Sequence, residues 1–70
     1  KNKNLRLNCI SPGGILDNQN KIFTQRYKKD CISKGLLEPN DLLSAFDFLL
    51  SKKSAFINGQ NIIIDDGWSL

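Results

Sequence analysis

The sequence predicts an α/β fold, and within that class one edge of a larger parallel sheet. Three observations carry this. A short alternating apolar segment runs into Pro12-Gly13-Gly14. A proline-started segment is apolar around most of a helix circumference. Ile62, Ile63 and Ile64 then follow one another without a polar break. An unbroken β-branched run marks a strand covered on both faces, as in parallel sheets. Two strands and two helices cannot cover both faces of such a run, so the 70 residues are expected to be a fragment, or the ordered remainder, of a longer protein.

The elements follow in order. Leu5, Leu7 and Cys9 alternate with Arg6 and Asn8, and Ile10 follows, which predicts a strand over 5–10. Pro12 and Gly13 end it. A helix is expected from Asn20 to about Cys31, with Ile22, Phe23 and Tyr27 on one face and Gln25, Lys28 and Lys29 elsewhere; Gly35 breaks the pattern. A second helix is expected over 39–51. Pro39 suits its first position, where a missing N–H costs nothing, and Asp41 complements the helix dipole. Leu42, Ala45, Phe46 and Leu49 form the i, i+3, i+4, i+7 stripe. Leu43, Phe48 and Leu50 widen it, so this helix should be covered on more than one side. Asn58-Gly59 signals a turn, 61–65 a second strand and 66–70 a tail. A right-handed crossover would lay the two strands parallel.

Composition narrows the function. A chain this short buries only about 60% of the surface it exposes when unfolded, so a self-standing core would be marginal. The formal charge is +3, but the lysines are scattered, with doublets at Lys28-Lys29 and Lys52-Lys53. A nucleic-acid footprint would need a denser basic face with interleaved aromatics. Histidine is absent and there are two cysteines, which excludes a His/Cys zinc site. No apolar run approaches the roughly 20 residues of a membrane span, and no apolar stretch follows the basic Lys1 to Arg6 as a signal peptide would require. A reducing cytoplasm, with Cys9 and Cys31 unpaired, is the expectation.

Taken in order, "NCISPGG", "EPNDLLSAFDFLLS" and "INGQNIIIDDGWSL" resemble the C-terminal third of the short-chain dehydrogenase/reductase family. The resemblance covers nearly the whole chain, from Leu5 to Leu70. It implies a piece of a doubly wound, Rossmann-type sheet that binds NAD or NADP. It places Pro12, Gly13, Gly14 and Ile15 beside the nicotinamide ring, with the Ile15 backbone holding the carboxamide. Segment 16–37 corresponds to the family's substrate loop, with Leu16, Ile22, Phe23 and Tyr27 as candidate lining; anchoring of the loop is the competing role for them. The second helix and last strand correspond to elements that pack against their copies across a two-fold axis, which assigns Leu43, Phe46, Leu50 and Trp68 to a homodimer or homotetramer interface; packing within the chain is the competing role for the helix residues. Trp68 has capping of the sheet as its competing role. The implied substrate is a small carbonyl or alcohol. "PGGILDNQ" resembles a subgroup linked to bacterial sugar and flagellin-glycan modification, which would make that substrate sugar-derived.

The sequence also departs from the family pattern. Asp17 stands where members often carry a phosphate-binding threonine, and a carboxylate there would repel a pyrophosphate; Asn18 is the alternative donor. Asn58-Gly59-Gln60 replaces Thr-Gly-Gln, and Asp65-Asp66-Gly67 replaces Asp-Gly-Gly. At Asp66 a positive φ would be tolerated better than by most side chains. The family's catalytic tyrosine with a lysine four residues on is missing, since Tyr27 is followed at that spacing by Cys31. A Gly-rich pyrophosphate loop is missing too. No catalytic residue and no metal ligand is assigned. The chain alone should be inactive, and would serve either as part of an oxidoreductase or as a dimerising module derived from one.

Overall fold

The computed structural model describes residues 5–70; the basic lead at 1–4 lies outside them. Six short elements follow one another: β1 (Cys9–Pro12), α1 (Lys21–Lys29), a 3-10 turn (Pro39–Leu42), α2 (Leu43–Leu50), a second 3-10 turn (Lys52–Ser54) and β2 (Asn61–Ile64). The two strands are parallel, with Cys9 opposite Asn61, Ile10 opposite Ile62, Ser11 opposite Ile63 and Pro12 opposite Ile64. The ladder runs on past the strand end, where Gly13 N–H donates to the Ile64 carbonyl at 2.9 Å.

β1 lies later than the alternation predicts, at 9–12 rather than 5–10. The cause is the Asn58-Gly59 turn, which occupies the place where a partner strand would have to continue. Leu7 N–H donates to Asn58 Oδ1 at 2.9 Å, and Gly59 N–H donates to the Leu7 carbonyl at 2.8 Å. Asn8 bridges the same turn, its Nδ2 donating to the Ile57 carbonyl and its Oδ1 accepting from Gln60 N–H. Three side-chain bonds and one backbone bond thus hold Leu7 and Asn8 against the turn, and β pairing begins at Cys9. Leu5 and Leu7 are exposed, while Arg6 reaches inward. Its guanidinium donates to the carbonyl and hydroxyl of Ser54 at 2.6 and 2.8 Å, and to the Ser51 carbonyl at 3.3 Å. Ser54 is buried, so this cation satisfies polar groups that would otherwise lose their water.

α1 starts at Asn20, whose Oδ1 accepts from Phe23 N–H at 2.8 Å. Arg26, Lys28 and Lys29 fill its last turn and complement the negative end of the helix dipole. It stops at Lys29, two residues before Cys31, because Asp30 and Cys31 tighten onto the carbonyls of Tyr27 and Lys28. The second helix is less uniform than a single helix over 39–51. Pro39–Leu42 is 3-10, opened by Glu38, whose N–H donates to Asp41 Oδ2 at 2.8 Å while Asp41 N–H donates to the Glu38 carbonyl at 2.9 Å, and only Leu43–Leu50 is α. β2 ends at Ile64, with Asp65 turning out of the ladder.

Among the described residues the buried apolar side chains are Leu36 and Leu37. The chain exposes 5872 Å², against about 4,400 Å² for a compact monomer of its mass. Its radius of gyration is 14.8 Å, against about 11 Å for a compact domain of this length. Ile63, in the middle of the isoleucine run, is exposed. The surface is that of a piece cut from a larger α/β sheet. No helix among the described residues is long and apolar enough to cross a membrane.

Candidate functional site

The turn that leaves β1 sits at the carboxyl ends of two parallel strands, the place where open α/β sheets take ligands. Packing within the chain explains why its backbone is bare. A Cβ on Gly13 would lie 2.5 Å from Asp65 Cβ and 3.0 Å from Asp65 Cα. A Cβ on Gly14 would lie 2.5 Å from Leu36 Cδ2 and 2.9 Å from the Tyr27 ring. Both glycines are therefore demanded by the neighbouring strand end and by the segment that crosses over the turn.

That crossing segment straps the turn. Leu37 N–H donates to the Gly14 carbonyl at 2.9 Å, and Leu16 N–H donates to the Leu37 carbonyl at 2.7 Å, so that Ile15 and Leu37 form a parallel bridge. Gly14 N–H donates to Tyr27 Oη at 2.8 Å. Gln19, which sequence reasoning missed, clamps the next residues. Its Nε2 donates to the Ile15 carbonyl at 2.8 Å and its Oε1 accepts from Asp17 N–H at 2.6 Å. The available signal was an amide placed just after two polar turn residues, Asp17 and Asn18. Asn18 takes φ 60°, and Asp17 is exposed.

The candidate lid residues divide. Tyr27 is half-buried, hydrogen-bonded to the turn and stacked on Trp68, with centroids 5.8 Å apart and planes 8° apart. Phe23 is tilted against Tyr27 at 6.1 Å. Leu16 and Ile22 are exposed. Phe23, Tyr27 and Trp68 thus form one row. Within this chain Tyr27 anchors the loop, and Trp68 packs on the loop from the tail.

The two acids after β2 face different partners. Asp65 is buried and accepts from Gly67 and Ser69 N–H at 3.0 and 3.1 Å. Asp66 takes φ 53° and points at the 33–35 turn. Its carboxylate accepts from Gly35 N–H at 2.7 Å, from Ser33 Oγ at 2.8 Å and N–H at 3.1 Å, and from Lys34 N–H. The Gly35 amide and the Ser33 hydroxyl lead in lowering its pKa to about 2. Cys31 moves the opposite way. Burial first, then the charges of Asp66, Asp65 and Asp30, push its thiol up, which disfavours the thiolate that a nucleophile needs. Cys9 and Cys31 are free. No group of three or more metal-ligating side chains occurs among the described residues.

On the other side of the chain, Leu43, Phe46 and Leu50 are exposed. Phe46 and Leu50 join Leu5, Leu7, Ile10 and Leu49, with Arg6 and Asn8, in an open groove of about 480 Å³. Trp68 is not part of that groove.

Comparison with known proteins gives this geometry a family. The family model described as enoyl-(acyl carrier protein) reductase matches residues 1–69. The post-translational flagellin modification protein A of Campylobacter coli is 49% identical over 69 residues, 99% of this chain and 27% of that protein. The 7alpha-hydroxysteroid dehydrogenase of Bacteroides fragilis is 33% identical, over 97% of this chain and 28% of that one. Among solved structures, a short chain dehydrogenase from Leptospira borgpetersenii with bound NAD+ superposes with a TM-score of 0.88 at 42% identity, covering 93% of this chain and 26% of that one. A 4-hydroxyisoleucine dehydrogenase complexed with NADH gives 0.84 at 33% identity, covering 94% and 30%. The fold and its solved neighbours define a Rossmann-type α/β piece. The chain belongs to the short-chain dehydrogenase/reductase family. It spans little more than a quarter of the length of the curated relatives it matches.

Proposed function

We propose that this chain works as the C-terminal part of an NAD(P)-dependent oxidoreductase acting on a small carbonyl or alcohol. In this reading Pro12 to Ile15 supply the nicotinamide-side turn and 16–37 the substrate lid. The observation that carries it is the strapped turn at the sheet's carboxyl edge, on a chain whose solved relatives hold NAD+ or NADH. The residues fit such a group. The turn offers backbone without side chains, and among the described residues the Ile15 N–H meets no acceptor, leaving a donor for a carboxamide. The bound dinucleotide would supply hydride chemistry. The chain's own part is to present Ile15, exclude water with the lid and hold both by the Tyr27 and Leu37 bonds. Leu16, Ile22 and Phe23 are the proposed substrate lining, with Tyr27 behind them as the anchor. The relative named for post-translational flagellin modification agrees with the subgroup that "PGGILDNQ" resembles, and the proposed sugar-derived substrate and cytoplasmic setting rest on that resemblance.

Titrating the full-length protein with NADH, and separately with NADPH, tests this. Saturable binding with a rise in nicotinamide fluorescence is expected for at least one, and no binding of either would contradict the reading.

The exposed face of α2 supports assembly into a homodimer or homotetramer through Leu43, Phe46 and Leu50, and a two-fold contact is self-complementary. A charge there would be repeated on both sides of the axis. Leu50→Glu and Phe46→Glu are each expected to convert the full-length assembly to smaller species in sedimentation velocity. Unchanged sedimentation would remove this face from the interface. Trp68 stays in the proposal only through its half-exposed face, since its other face stacks on Tyr27.

A further inference from the structure

The C-terminal tail reaches the lid at two points, and one of them is costly in backbone terms. Asp66 sits at φ 53°, a conformation that glycine enters freely and other residues do not. Its carboxylate is what the position gains. All four of its donors come from one turn: the amides of Ser33, Lys34 and Gly35 and the Ser33 hydroxyl. The Lys34 ammonium does not compete, being paired with Asp41 at 2.5 Å. The gathered turn leads directly into Leu36 and Leu37, the buried pair that crosses Gly14 and bridges Ile15. Gly35 is pressed against α1, where a Cβ would lie 3.0 Å from Lys28 Cα, so the turn has little room to shift once the carboxylate holds it. The Asp66 carbonyl adds a bond from Ile32 N–H at 2.8 Å, and Trp68 stacks on Tyr27 at the second point.

We propose that Asp66 is a positioning residue, a latch whose carboxylate gathers the 33–35 turn and so sets the Leu36-Leu37 strap against the Gly13 to Leu16 turn. The consequence for the cofactor rests on the function proposed above; the latch itself rests on the geometry alone. The carboxylate's lowered pKa fixes the pH sense. The latch is intact above the ordinary carboxylate range and is lost only as pH falls through about 2, so it holds throughout neutral conditions.

The test uses the full-length protein with Asp66→Gly, which relieves the backbone, and Asp66→Asn, which keeps the size but turns an N–H₂ toward donors. Site-resolved hydrogen exchange is expected to speed at Leu16 and Leu37 by about tenfold or more in both variants, with the Cys9 and Gly13 ladder amides nearly unchanged. NADH affinity is expected to fall by about tenfold as the turn loosens. Unchanged exchange at Leu37 would overturn the latch, and so would an equal rise at Cys9, which would mean only a general loss of stability. Local loosening with unaltered NADH affinity would overturn the positioning role. Failure of the unsubstituted protein to bind NADH would instead contradict the proposed function, and the exchange measurement would still decide the latch.

Discussion

Gly13→Ala is expected to weaken NADH binding by the full-length protein at least tenfold and to destabilise it by about 1–3 kcal/mol, the usual cost of forcing a methyl into filled space. The new Cβ would fall 2.5 Å from Asp65 Cβ and 3.0 Å from its backbone. Neither atom can move by changing a rotamer, so either β2 shifts or the turn does. The bonds from Gly67 and Ser69 hold Asp65 in place, which leaves the turn to give way, and with it the Ile15 amide. Gly14→Ala is expected to cost less stability, because its nearest neighbour is the far end of Leu36. It should still disturb the Gly14–Tyr27 bond. Urea denaturation and NADH titration of the two variants check the order. If Gly13→Ala bound NADH normally, the turn would not lie against the ring.

The second large effect concerns the chain by itself. The isolated 70 residues are expected to show no cooperative thermal or urea transition, a weak near-ultraviolet circular dichroism signal and strong binding of a hydrophobic dye. The 5872 Å² surface and a buried apolar core of Leu36 and Leu37 leave too little burial to offset the conformational entropy of ordering the backbone. A dimerising module predicts the opposite, a folded dimer with one sharp transition. That result would transfer the apolar face of α2 from assembly of an enzyme to a function of its own.

Much of the fold was legible because its signals are local. Pro39 and Asp41 mark a helical start by chemistry that acts within one turn, and the isoleucine run announced a sheet larger than the chain. The start of β1 was not legible. The alternation at Leu5, Leu7 and Cys9 has the period of a strand, but whether it pairs depends on Asn8 and Asn58, which divert the partner through side-chain bonds. Arg6 likewise reads as a solvent charge until Ser54 is placed beneath it. At the site, the Pro12-Gly13-Gly14 turn was visible as a need for bare backbone. What presses on that backbone was not, since Asp65, Leu36 and Tyr27 arrive from far along the chain. The positive φ that an Asp was expected to tolerate at position 66 is present, and the carboxylate's grip on 33–35 that accompanies it is contained in no spacing rule.

The central claim is that a nicotinamide ring lies against Pro12 to Ile15, and amide chemical shifts test it most directly. In the full-length protein labelled with ¹⁵N-glycine and ¹⁵N-isoleucine, saturating NADH should move the Gly13, Gly14 and Ile15 amides strongly and leave Gly59, at the far end of the ladder, in place. Saturable NADH binding with the Gly13, Gly14 and Ile15 signals unmoved would contradict the account.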